Sequence, residues 1–258
     1  MADTSRCPVG RFMWHSLATS RRAGAHAFYG SLFGWTVHGF DLGADGAGTF
    51  RSGSGDVALL LPPAGDVESA ARWLSYAAVR DLDDALELVR RAGGTVVAAP
   101  AETAGIGRAA VVADPQGAWF GLVRAPDAAA ASPDVSGPGH FCWCELLSTD
   151  PHDALRFYPD VFGWTAVERN LGEHGQYWIF SSGDRDVAGM MQPTPRADHA
   201  CWLPYVEVVN AEETAAEVES LGGAIVTPPG DVPGRGRFAV VRDPEGALVA
   251  VYALTVAA

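Results

Sequence analysis

The strongest constraint on how this chain can fold is a self-match at one fixed spacing. Phe28-Tyr29-Gly30-Ser31-Leu32-Phe33-Gly34-Trp35-Thr36 recurs as Phe157-Tyr158-Pro159-Asp160-Val161-Phe162-Gly163-Trp164-Thr165. Trp73-Leu74-Ser75-Tyr76 recurs as Trp202-Leu203-Pro204-Tyr205, and Gly105-Ile106-Gly107-Arg108 as Gly234-Arg235-Gly236-Arg237. Asp114-Pro115-Gln116-Gly117-Ala118 recurs as Asp243-Pro244-Glu245-Gly246-Ala247, again 129 residues on. An offset unbroken across four motifs means duplication with no net insertion. Ala125 to Gly139 between the halves is rich in Ala, Pro, Ser and Gly, the composition of a linker. The expected division is a first domain over 8–126, a linker over 127–138 and a second domain over 139–256.

Each half divides again into two similar modules. Phe12 to Leu17 alternates as a strand does, and Ser20 to Phe33 places apolar residues at helical spacing. Trp35–Val37, Thr49–Phe50 and Val57–Leu61 follow as short strands between Gly-rich turns. A second cycle starts at Leu74–Val79. Its helix over Asp81–Arg91 is acidic early and basic late, and Gly93-Gly94 stops it. Thr95–Ala98, Arg108–Ala113 and Ala118–Val123 complete the cycle, with Asp114–Gly117 suited to a type I turn. The second half predicts helices near Asp150–Val161 and Ala211–Leu221. The fold class is therefore α+β, with four βαβββ modules.

With 258 residues and 48% apolar content, the chain can give each of two domains its own core. No apolar run approaches the ~18 residues of a membrane span, and Met1 to Gly10 lacks signal-peptide order, so a cytoplasmic protein with no membrane partner is expected. Eighteen basic against 31 acidic residues give a net charge of −13, which repels phosphate backbones and argues against nucleic acid. All the basic residues are Arg, so no Lys is present to form a Schiff base. Cys7, Cys142, Cys144 and Cys201 form no CxxC pair and read as buried small hydrophobes. The GxGR loops open no helix and precede strands, which is turn chemistry rather than a phosphate cradle.

A strand, a helix carrying FYxxxFGW, three strands, and then a module with GG and DPxGA together resemble the vicinal-oxygen-chelate superfamily of glyoxalases, bleomycin-resistance proteins and dioxygenases. The resemblance covers nearly the whole chain and implies two tandem glyoxalase-like domains. Their curled mixed sheets would each enclose a cavity, provided that modules pair within each half. It implies little about activity, because this fold hosts isomerases, dioxygenases, thiol transferases and drug-binding proteins.

Metal-dependent relatives place His or Glu ligands on the first and last strand of each module. Those positions fall here on Trp14, Leu74 and Gly121 in the first half, and on Trp143, Leu203 and Ala250 in the second. The remaining two lie within Val57–Leu61 and Val187–Met191, which hold neither His nor a carboxylate beyond the flanking Asp56 and Asp186. None of these side chains suits a divalent cation. A one-residue slip would bring in His15, but His15 alternates against Trp14 and is expected on the helix-packed face, as is its counterpart Cys144. The expectation is no metal and no other cofactor.

Aromatic residues take the place of ligands. Trp14, Trp143, Tyr76 and Tyr205 are expected to face the cavities, with Met190 among the further candidate walls. Glu145, two residues past Trp143, is placed to meet an amino group, while Ser16 stands at that point in the first half. The expected function is metal-independent binding of a bulky aromatic small molecule, neutral or cationic, such as an antibiotic or biosynthetic intermediate. It would serve sequestration, self-resistance or a secondary-metabolite pathway. The alternative is a glyoxalase-superfamily lyase, isomerase or oxygenase acting on a small carbonyl compound; the lost ligand positions lean against an enzyme. A third reading is a structural remnant whose cavities are filled by its own side chains. A monomer and a homodimer fit the sequence equally.

Overall fold

The computed structural model describes residues 9–39, 47–53, 55–63, 71–103, 105–124, 136–172, 175–193, 199–232 and 234–255. Cys7, His174 and most of the expected linker lie outside the described residues.

The first half begins with β1 (Phe12–Ala18), α1 (Arg22–Phe33), β2 (Thr36–His38), β3 (Gly48–Ser52) and β4 (Gly55–Leu61). It continues with β5 (Arg72–Val79), α2 (Leu82–Arg91), β6 (Thr95–Thr103), β7 (Gly107–Ala113) and β8 (Trp119–Arg124). The second half repeats the order with β9 (Phe141–Leu147), α3 (Pro151–Phe162), β10 (Thr165–Asn170), β11 (Gln176–Ser182) and β12 (Arg185–Met191). Then come β13 (Cys201–Glu207), α4 (Ala211–Ser220), β14 (Ala224–Val232), β15 (Gly236–Arg242) and β16 (Leu248–Leu254). The four βαβββ modules expected from the sequence are present.

Local chemistry sets the element ends. Asp81, Asp150 and Asn210 each accept two backbone N–H bonds at the start of α2, α3 and α4, which satisfies donors that a helix leaves open. Arg21 before α1 offers no such cap. Gly34 and Gly163 end α1 and α3 in the left-handed conformation, with φ 69° at each, and turn Trp35 and Trp164 into the core. The GxGR loops gain a structural role. Arg108 makes paired 3.0 Å bonds to Asp83 in the first turn of α2, and Arg237 pairs with Glu212 of α4 and with Asp231. Strand β6 extends to Thr103, well past the expected Ala98, because Ala101, Glu102 and Thr103 stay in register with β7 across two irregular steps.

Strands pair within each half. One eight-stranded mixed sheet runs β2-β3-β4-β1-β5-β8-β7-β6, and the other runs β10-β11-β12-β9-β13-β16-β15-β14. Parallel pairs join β1 to β4 and β5 to β8, and the hairpins are antiparallel.

The apolar cores sort differently, and here the structure departs from the expectation of one core per half. One compact unit combines the described residues of Met1–Trp14, Ser75–Asp134 and Cys144–Trp202. Its core joins Leu86, Val112 and Phe120 from the first half to Leu146, Phe157 and Phe180 from the second. The other unit combines the described residues of His15–Leu74, Val135–Trp143 and Leu203–Ala258, and packs Phe28, Trp35 and Phe50 with Val206, Val218 and Val249.

A buried polar interlock ties each unit. Tyr29 Oη donates to Asp243 Oδ2 at 2.9 Å and accepts from Trp73 Nε1 at 2.8 Å. Asp243 Oδ1 accepts the N–H groups of Glu245 and Ala247 in its own turn. In the other unit Tyr158 donates to Asp114 at 2.9 Å and accepts from Trp202 at 2.9 Å, and Asp114 Oδ1 accepts from Gln116 and Ala118. The helix tyrosine therefore bonds the turn aspartate of the opposite half. The glycine pairs serve the same packing. A Cβ on Gly94 would lie 2.9 Å from the Phe157 ring and 2.7 Å from the Ala113 carbonyl, and one on Gly223 would lie 3.1 Å from Phe28 and 2.6 Å from the Arg242 carbonyl.

Removing the tyrosine hydroxyl leaves a buried carboxylate oxygen and an indole N–H without partners. Tyr29→Phe and Tyr158→Phe should each lower stability by about 1–3 kcal/mol, read from urea denaturation at neutral pH. A loss within experimental error in both variants would mean that water replaces the hydroxyl.

Candidate ligand-binding faces

The expected site residues divide between the two units. Strand β5 gives Trp73 and Leu74 to the second unit and Ser75–Val79 to the first; its period places Trp73 in one core and Ala77 and Val79 in the other, and leaves Leu74 and Tyr76 on the alternate face. Tyr76 is buried and pairs in register with Gly121 of β8. Its ring lies across that glycine, because a Cβ built on Gly121 would be 2.0 Å from Tyr76 Cδ1. Trp14 belongs to the same unit as Tyr76, is half-buried, and has an enclosed indole N–H with no acceptor among the described residues.

Trp14 and Trp143 sit where strand alternation breaks. Phe12 packs on Trp164 and Trp202 with ring centroids 6.2 and 4.8 Å away, and the next core-facing side chains of β1 are His15 and Leu17. On β9 the sequence of core-facing residues is Phe141, Cys144 and Leu146. A step of three where a strand requires two marks one extra residue, the arrangement by which a bulge re-aims a side chain.

In the second unit Tyr205 is buried on β13, opposite Ala250 of β16, while its neighbour Val206 turns to the core. Phe238 of β15 lies 6.4 Å from Tyr205 between ring centroids, and pairs with Tyr252, which in turn pairs with Glu207. Glu207 Oε2 accepts from Gly137 N at 3.1 Å. Of the described cysteines only Cys144 is buried as expected, Cys201 being half-buried and Cys142 exposed at its surface; the Cys142 thiol is 3.6 Å from the Tyr205 carbonyl, where desolvation, with help from the Glu207 charge, pushes it up to about 12. It is a thiol rather than a thiolate at neutral pH. Burial is also the main reason that the Tyr252 phenol is raised, with Cys142 and Glu207 adding to it and Arg235 opposing.

Trp143 is half-buried in this unit, whereas Glu145, two residues later on β9, belongs to the first unit, where it is buried and in register with Gly189. Met190 does not join them. It pairs with Leu146, and both are fully buried in the core under the helices, so Met191 is the methionine on the Glu145 side of β12. The sequence alone does not separate these neighbours, because the register of β12 on β9 decides which one faces which way. The reading also missed Phe238, Glu207 and Tyr252. A comparison at 129 residues would have found them, since their counterparts are Ala109, Ala78 and Val123.

His15 lies where the alternation argument put it. It is buried and stacked on Phe141 with centroids 3.8 Å apart, and burial lowers its pKa to about 3. The residues at the family's metal positions do not fit a divalent cation. Trp14, Leu74, Trp143, Leu203 and Ala250 offer no donor, and Tyr76 occupies the space into which a longer side chain at Gly121 would grow. Among the described residues no three His, Cys, Asp or Glu side chains come together as a metal would require. No described helix is long and apolar enough to cross a membrane.

Paired βαβββ modules, each half an eight-stranded mixed sheet, define the architecture of the glyoxalase-like fold. The chain belongs to the glyoxalase/bleomycin resistance protein/dioxygenase superfamily: residues 139–251 match that family's model, and residues 16–123 match a glyoxalase-like domain. Over 258 residues it is 33% identical to the CFP32 protein of Mycobacterium tuberculosis, which carries a provisional glyoxylase name, with 97% of each chain covered. Over 267 residues it is 33% identical to the anthracycline biosynthesis protein DnrV of Streptomyces peucetius, with 97% of this chain and 95% of the relative covered. Among solved structures, the Mn(II)-bound glyoxalase of Novosphingobium aromaticivorans aligns with a TM-score of 0.66 at 17% identity, covering 95% of this chain and 82% of that one. A 2,2',3-trihydroxybiphenyl 1,2-dioxygenase of Sphingomonas wittichii aligns at 0.63 and 17%, covering 95% and 90%. At such identities these two bear on fold alone.

Two outcomes test the local geometry. Gly121→Ala should cost about 1–3 kcal/mol by forcing the Tyr76 ring aside, and less than half as much in a Tyr76→Ala background. A cost that is unchanged by Tyr76→Ala would place the clash elsewhere. For His15, the folded pKa lies below the unfolded one, so its stability contribution is present above the unfolded value of 6.5 and is lost as pH falls toward 3. Between pH 6.5 and 5 it should account for about 2 kcal/mol of lost stability, a loss that is absent in His15→Met. Parallel pH profiles for the two proteins would contradict a neutral buried imidazole.

Proposed function

We propose that this protein binds a planar aromatic small molecule without a metal, in the service of a secondary-metabolite pathway through sequestration, self-resistance or hand-over. The observation that carries the reading is the Tyr76 ring lying over Gly121, at the strand position where metal-dependent relatives need a ligand. An aromatic surface stands where a donor would be, and such a surface recognises flat ligands by stacking and apolar burial. Trp14 and Trp143 are the candidate stacking rings, Tyr76 and Tyr205 the supporting ones, and Glu145 the partner for an amine. A net charge of −13 favours cationic ligands, and the relationship to an anthracycline biosynthesis protein supports an aromatic one.

The glyoxylase name of CFP32 favours a second reading, an enzyme acting on a small carbonyl compound. A single titration separates the two. Planar polyketides should quench tryptophan fluorescence, and Trp14→Ala or Trp143→Ala should weaken binding by about 1–3 kcal/mol, up to about a hundredfold in Kd. With an amine on the ligand, Glu145→Gln should weaken it further in low salt and less so in high salt. Turnover of an α-keto aldehyde, with no planar compound binding below about millimolar, would establish the enzyme in place of the binding protein.

A further inference from the structure

The duplication supplies an internal control. Two copies with the same element order show which residues the fold requires, and positions that differ sharply between them are free to serve recognition. The differences gather on one face of the second unit. Tyr205 and Glu207 of β13, Tyr252 of β16 and Phe238 of β15 share it through the register pairs Glu207↔Tyr252 and Phe238↔Tyr252, and through the Tyr205–Phe238 ring contact. Cys142 and Arg235 are near enough to Tyr252 for their charges to act on its phenol. The residues 129 positions earlier are Tyr76, Ala78, Val123, Ala109, Met13 and Ile106. Apart from the shared tyrosine, all of them are apolar. A glyoxalase-like half therefore needs no polar group at these points, and burying one uncompensated is costly.

We propose that this face is a substituent-reading subsite of the second half. It would take the hydroxyl–carbonyl edge of a hydroxylated aromatic ring system, with the ring plane on Tyr205 and Phe238 and the polar edge on Glu207 and Tyr252. The inference rests on the aromatic-ligand reading above and adds the polar chemistry to it. Glu207 is an acceptor already oriented by Gly137 N–H, so a ligand phenol donates to it. Tyr252 keeps its proton and donates to a neighbouring carbonyl, and the exposed Arg235 guanidinium acts on this edge electrostatically. Glu207, Phe238 and Tyr252 are only partly covered by protein, so the face is open to a ligand. In the first half, Ala78, Ala109 and Val123 are all buried at the equivalent positions and offer neither group.

The test uses a matched pair of dyes on the full chain. Mitoxantrone is a dihydroxyanthraquinone with two aminoalkylamino side chains, and ametantrone lacks only the ring hydroxyls. Wild type should bind mitoxantrone about tenfold more tightly, the scale of one good hydrogen bond. Glu207→Ala, which installs the residue of the first half and removes the acceptor for the ring hydroxyl, should bring the ratio near one, while Tyr252→Val, which removes the donor to the quinone carbonyl that both dyes keep, should weaken both. The same fold already accommodates those residues 129 positions earlier, and Glu207→Gln with Tyr252→Phe gives an isosteric second pair. Equal affinity of wild type for the two dyes, or a tenfold ratio that survives Glu207→Ala, overturns the subsite and leaves the aromatic-ligand reading standing. Failure of both dyes to bind wild type overturns the two together.

Discussion

The packing of this protein depends on a buried hydrogen-bonded triad made twice, from a helix tyrosine, a turn aspartate and a strand tryptophan. The aspartate spends one oxygen on its own Asp-Pro-x-Gly-Ala turn and the other on a tyrosine of the opposite half. The tyrosine is in turn satisfied by the indole N–H of Trp73 or Trp202. Every member has a partner, which is the condition for a buried polar network to add specificity rather than cost. Apolar packing alone would tolerate many arrangements of two similar helices on two similar sheets. A donor–acceptor chain with fixed directions tolerates far fewer, and it selects modules from different halves as partners in each core.

That selection explains why the repeated motifs lie where they do. The FY pair, the Trp of WLxY, the second glycine of GG and the aspartate of DPxGA are far apart in sequence, yet all four meet at one contact in each unit. None of them belongs to the ligand-facing positions. Apart from the GxGR loops and the Tyr of WLxY, the repeated motifs therefore supply the interlock, and the candidate ligand-binding faces lie on the alternate side of the same strands. Duplication keeps the first set and releases the second.

Legibility followed the same division. The modules, the strand and helix types and the order of elements were readable because their signals are local: period-two alternation, helix caps and Gly stops. The buried position of His15 came from alternation against Trp14. The assignment of cores was not readable, because nothing local distinguishes a tyrosine that bonds an aspartate in its own half from one that bonds an aspartate in the other. Met190 was misplaced for a similar reason. Adjacent methionines on one strand face opposite ways, and the register of β12 on β9 decides which is core. The roles proposed for Phe238, Glu207 and Tyr252 are not carried by the repeat, because their counterparts 129 residues earlier are Ala109, Ala78 and Val123.

The two halves carry different side chains at equivalent positions of the same fold. In the first, small side chains at Ala78, Ala109 and Gly121 let the Tyr76 ring lie flat on the sheet, and the result is buried and uniformly apolar. In the second, Ala250 replaces Gly121, and Phe238 stands beside Tyr205 rather than a methyl group. Phe238, Glu207 and Tyr252 are only partly covered, so this surface is more open and is edged with a carboxylate and a phenol. Hydrophobic stacking is tolerant of the ring that it meets, while hydrogen bonds reject a partner that cannot answer them, because the unanswered group then stays desolvated. On the proposed reading, either half offers affinity without much discrimination, and discrimination among related aromatic ligands needs the polar edge of the second half.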